Sequence, residues 1–119
     1  MPPMYKRKAR ILFVDRHAPT AALAARLANE LGADWLEGRH ATPSSAAGHM
    51  PWADLLVHFD PDLPARLTTP PKTLRLKHWP LAADPAQPDA ALTAELRERI
   101  RGMVGGMRML ARPPAEDED

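Results

Sequence analysis

The sequence predicts an α/β fold, a small three-layer sandwich around a four-stranded parallel sheet with spatial order 2-1-3-4. Three observations lead there. Residues 11–14 (ILFV) and 55–57 (LLV) are unbroken apolar runs, as expected of strands buried on both faces. Leu23, Leu27 and Leu31 recur every fourth residue with Ala24 and Ala28 beside them, which is one apolar stripe of a helix. Residues 72–79 (KTLRLKHW) alternate Leu74 and Leu76 with Arg75 and Lys77, as a half-wet edge strand does. Right-handed crossovers make the two apolar strands central neighbours and put helices on the faces.

The totals agree with this class. A length of 119 residues allows one domain with one core, and 45% hydrophobic content is ordinary for a globular chain. A net charge of +1 gives no broad electrostatic footprint for nucleic acid or a membrane surface. No apolar run spans a bilayer and the first residues have no apolar leader, so the expected location is the cytoplasm. The chain has no cysteine, which removes disulfides, thiolate metal sites and a cysteine nucleophile together. Residues 1–8 form a basic lead-in, 9–112 the domain, and 113–119 a disordered acidic tail.

In order, the first strand ends at Asp15. A helix restarts at Pro19 and Thr20, with Thr20 as N-cap and Gly32 as a left-handed stop. Residues 33–37 (ADWLE) make a short edge strand. Residues 38–51 read as a loop carrying His40 and His49, too loosely spaced for a metal pair. The third strand covers 52–59 and stops at Asp60; the fourth covers 72–79, before a loop over 80–88. Asp89 caps a last helix whose stripe is Leu92, Leu96, Ile100, Met103, Met107 and Leu110. Gly102, Gly105 and Gly106 weaken its second half, each by about 1 kcal/mol relative to alanine.

The candidate site is the loop between the first strand and its helix: Asp15, Arg16, His17, Ala18, Pro19, Thr20, Ala21 and Ala22. It lies at a strand's carboxyl end, where the helix amino terminus points. Arg16, His17 and Thr20 are its possible donors to a small anion. The simpler reading fills the loop with Asp15 and His17 bonding to its own backbone. If the strands are parallel, Asp15, Asp60 and Asp84 share one edge with His17, an oxygen-rich set that suits Mg²⁺, Mn²⁺ or Zn²⁺.

Three separated pieces resemble the low-molecular-weight protein tyrosine phosphatases and the arsenate reductases that share their fold. ILFVDRHAPTAALAARL stands where that family has a buried strand, its phosphate loop and its first helix. WADLLVHFD stands at its central strand. KHWPLAADPAQ, followed by ELRERIRGM, is similar to its Trp-x-x-x-Asp-Pro loop and terminal helix. The resemblance implies a phosphate loop of cysteine, arginine and a following hydroxyl residue, in which the thiolate attacks and the guanidinium holds the oxyanion. At those positions this chain has Asp15, Ala21 and Ala22; Asp84, before Pro85, stands where the family keeps its general acid. An acid without a nucleophile cannot carry the reaction. A carboxylate at Asp15 would also repel an anionic substrate.

The leading expectation is therefore a family member without catalysis and without a cofactor, a binding or regulatory module whose partner is a protein or a small anion. One alternative is metal-binding or metal-assisted phosphate chemistry through Asp15, His17, Asp60 and Asp84. Another is a receiver-like domain with Asp60 as phospho-acceptor, although Arg16 stands where such a domain has a second acid.

Overall fold

The structure is a computed structural model and describes residues 7–67, 69–87 and 89–111. Most of the basic lead-in and the acidic tail lie outside the described residues. The elements are β1 (Ala9–Val14), α1 (Ala18–Leu31), β2 (Leu36–Ala41), a 3-10 turn (Ala46–Gly48), β3 (Leu55–His58), α2 (Leu63–Arg66), β4 (Arg75–His78) and α3 (Ala90–Ala111). All strand pairs are parallel, in the order β2-β1-β3-β4. This is the predicted sheet. No helix among the described residues is long and apolar enough to cross a membrane.

Strand alternation sorts the core into two layers. Ile11, Phe13, Val57 and Phe59 face α1 and α3, where Leu27, Leu92, Leu96 and Ile100 bury the predicted stripes. Trp79 joins this layer, its ring tilted against Phe13 and Phe59. Leu12, Val14 and Leu56 face the other way, under Ala46, Met50, Leu63 and Leu74. That second face is covered by the 3-10 turn, the one-turn α2 and loop segments. Neither short helix is expected from the sequence, because a single turn is too short to show a period.

Several boundaries differ from expectation. The second strand is Leu36–Ala41, not 33–37, and so takes the start of the predicted loop. Gly38 explains the shift. It reads as a loop residue, yet α1 crosses directly over it: an added Cβ would sit 3.2 Å from the Ala25 carbonyl oxygen. Asn29 then bonds both backbone groups of Gly38, accepting from its N–H at 2.8 Å and donating to its carbonyl at 3.1 Å. The third and fourth strands are shorter than 52–59 and 72–79. All four residues of β4 are exposed, Leu76 included, so its alternation does not bury Leu76.

The glycines also differ. Gly32 is not in the left-handed region, with φ −124°. Its role is close approach, since a Cβ there would meet Val104 Cγ2 at 2.8 Å and Leu36 at 3.1 Å. Gly102, Gly105 and Gly106 face open space, and α3 runs through them. Asp89 caps α3 as expected, its carboxylate accepting from the Leu92 N–H at 3.1 Å.

Arg7, in the basic lead-in, forks onto Asp54 at 2.7 and 2.9 Å, and the same carboxylate accepts from the Arg10 N–H. The Arg7 guanidinium holds the Asp54 carboxyl below the usual carboxylate range, against the upward push of burial.

Candidate active site

β1 delivers Asp15 to the carboxyl edge of the sheet, and α1 begins at Ala18. Only Arg16 and His17 separate the carboxylate from the helix. The sequence places the helix restart at Pro19 and Thr20; the structure starts it earlier, with His17 as N-cap. Proline in the first turn explains the early start, because its φ is helical and its missing N–H leaves no donor to satisfy. Thr20 is therefore inside the first turn and is not the cap.

The short loop is tied to itself. Asp15, only 2% exposed, accepts at Oδ2 from the His17 backbone N–H and from His17 Nδ1, each at 2.9 Å. Within the first turn, Thr20 N and Ala21 N both bond the His17 carbonyl oxygen. Thr20 is fully buried, and its hydroxyl donates to the carbonyl oxygen of Pro85. Ala21 is fully buried in α1 and Ala22 half-buried beside it, while Arg16, Ala18 and Pro19 are exposed.

The topology gathers the remaining candidates. A recess of about 240 Å³ is lined by Asp15, Arg16, His17, Asp60 and Asp84, with Phe59 and Pro85 among its apolar walls. Asp60 and Asp84 each cap their own turn, accepting from the Asp62 and Ala86 N–H at 2.9 Å. Asp15, His17, Asp60 and Asp84 thus share one rim, as the parallel sheet requires. Among the described residues, however, no three histidine, aspartate or glutamate side chains are grouped closely enough to hold a metal ion. His40 is exposed in β2 and His49 half-buried at the end of the 3-10 turn, and neither lines this recess.

The loop carrying Asp84 is positioned by α3. Glu95 accepts from the Ala82 N–H at 2.7 Å and the Ala83 N–H at 2.8 Å, and Arg99 donates to the Pro80 carbonyl at 2.8 Å. Glu95 and Arg99 lie off the predicted apolar stripe of this helix, and no periodicity distinguishes them.

A second missed feature is a histidine pair at the same edge. His58 and His78 are register partners at the ends of β3 and β4, with rings stacked 20° apart at 5.2 Å. His58 Nδ1 donates to the Asp60 carbonyl at 2.8 Å and His78 Nε2 to the Phe59 carbonyl at 3.2 Å. The two rings therefore hold the segment that forms one wall of the recess. Burial pushes the His58 imidazole below its ordinary range and the His78 ring adds to this, while the Asp60 carbonyl pulls the other way. The signal was present in the sequence: both strands end in histidine followed by an aromatic, His58-Phe59 and His78-Trp79.

No protein-family model matches this chain, and no curated protein matches it by sequence. Solved structures do match. The thioredoxin-dependent arsenate reductase of Corynebacterium glutamicum superposes with a TM-score of 0.61 at 13% identity, over 87% of this chain and 64% of that one. The arsenate reductase of Archaeoglobus fulgidus superposes with a TM-score of 0.57 at 16% identity, over 81% of this chain and 98% of that one. At this identity the likeness establishes the fold alone: the chain has the parallel α/β architecture of its arsenate reductase neighbours, which is the fold its own residues predicted.

Proposed function

We propose that this chain is a non-catalytic binding or regulatory module on an arsenate-reductase-like fold. The observation that carries the reading is the Asp15–His17 contact. At the loop where the resembled family grips an oxyanion, a buried carboxylate already takes the His17 N–H. Further along the first turn, the Thr20 and Ala21 amides both bond the His17 carbonyl. The guanidinium and hydroxyl positions of that family are the alanines Ala21 and Ala22. An incoming phosphate or arsenate would meet the carboxylates of Asp15, Asp60 and Asp84, against which the recess sets one arginine, the exposed Arg16. Asp84 keeps the general-acid position but has no thiolate to serve, since the chain has no cysteine.

The test is an assay of the purified, metal-free protein with p-nitrophenyl phosphate, and with arsenate plus a dithiol reductant. Turnover should not exceed the protein-free blank, and millimolar phosphate or arsenate should leave Tm unchanged. Turnover that disappears in Asp15→Asn, or a saturable rise in Tm with either anion, would overturn the reading.

A further inference from the structure

Among the described residues the sheet has an open edge at β4, and its chemistry is specific. Arg75 N and Trp79 N donate inward, to Asp54 O at 3.3 Å and His58 O at 2.9 Å. Alternation therefore turns the backbone groups of Leu76 and His78 outward, toward solvent. The register of Arg75 with Leu55 and of Lys77 with Val57 puts both cations on the face that carries α3. Among the described residues, neither cation has a carboxylate oxygen within 4.0 Å. Beneath Lys77 runs a groove of about 420 Å³ floored by Leu55, Trp79 and Met103, with Glu98 and Arg99 of α3 along its wall. Gly102 keeps its far wall low, since a Cβ there would touch nothing. On the opposite face, Leu76 is 38% exposed, one of two large hydrophobic side chains exposed among the described residues.

We propose that the β4 edge docks an extended acidic segment of a partner protein, which adds to the sheet as a further strand. Its alternate carboxylates lie beside Arg75 and Lys77, and its intervening apolar side chains lie beside Leu76. Strand addition of this kind takes affinity from the backbone groups and specificity from alternate side chains. The charges choose the occupant. A second copy of this chain paired edge to edge would bring its own Arg75 and Lys77 onto the same surface, and like charges across a strand pair are destabilising. The same lysine and arginine that prevent self-pairing favour a segment of opposite sign. This edge is separate from the recess, so the inference stands whether or not the recess turns over a substrate.

The probe is a capped peptide alternating glutamate and valine, with a lysine–valine peptide as control, added to the full chain at low salt. Binding of the acidic peptide should be saturable and should slow hydrogen exchange at the Leu76 and His78 amides. Leu76→Pro removes an outward amide without touching the β3–β4 ladder, so it should abolish the binding while Tm changes little. The double variant Arg75→Glu, Lys77→Glu should weaken binding about tenfold or more and turn preference toward the lysine peptide. Four results would overturn the proposal: no binding of the acidic peptide, equal binding of both peptides, binding without protection of the two amides, or concentration-dependent dimerisation through the same edge in sedimentation.

Discussion

Asp15 and His17 form a closed two-point contact: one carboxylate oxygen accepts from both the backbone amide and the ring Nδ1 of the residue two positions on. The contact occupies the mouth of the first helix with the protein's own charge. Asp15→Ala leaves the part-buried His17 amide without its acceptor and should cost about 1–3 kcal/mol. Urea denaturation measures this. A loss below about 0.5 kcal/mol would show that the contact does not hold the loop.

Placing an arginine at position 21 should not create an anion site. Ala21 is fully buried in α1, one turn beyond the cap. Ala21→Arg must overpack the core or bury a charge, at about 3 kcal/mol or more. Asp15→Cys combined with Ala21→Arg should show a lowered Tm and no phosphate release in the aryl phosphate assay.

Glu95 accepts two backbone amides from the loop that carries Asp84. Glu95→Ala leaves both without that acceptor and should destabilise the chain by about 1–3 kcal/mol. Hydrogen exchange should accelerate at Ala82 and Ala83 before it does in β1. Exchange unchanged at these two amides would assign the positioning of the loop to Arg99 and Thr20 instead.

The two classes of glycine should respond with opposite sign. Gly32→Ala drives a methyl into Val104 and Leu36 and should cost about 1–3 kcal/mol. Gly106→Ala meets nothing within 4 Å and should stabilise the chain by about 0.4–1 kcal/mol through helix propensity and a less flexible unfolded chain. Thermal denaturation of the two variants checks both signs.

His58 makes stability depend on pH. Its imidazole is held below the ordinary value, chiefly by burial, so between the folded and unfolded pKa the unfolded chain binds more protons than the native one. Stability is therefore full above the usual histidine pKa of about 6.5 and falls as pH drops from there through the lower native value. The urea midpoint should decline from pH 7.5 to about 5.5, and the decline should be shallower in His58→Gln. Identical slopes in the two proteins would remove His58 as the cause.

What the residues alone determined is the part governed by local pattern and by sheet rules. Ile11–Val14 and Leu55–Val57 are apolar without interruption, which forces burial on both faces and hence central, parallel, adjacent strands. The stripes of Leu23 to Leu31 and Leu92 to Met107 locate the two long helices, and Asp89 locates a start. Parallel strands also guarantee that Asp15, Asp60 and Asp84 reach one edge. Tertiary structure decided what depends on contacts between distant residues. β2 lies at Leu36–Ala41 because α1 packs over Gly38 and Asn29 binds it, and neither event leaves a periodic trace. The site itself belongs to this second group. Whether the loop opens for a ligand or closes on Asp15 is set by where α1 begins and by where Thr20 finds Pro85, sixty-five residues away. Such long-range hydrogen bonds have no spacing in the chain by which they could be read.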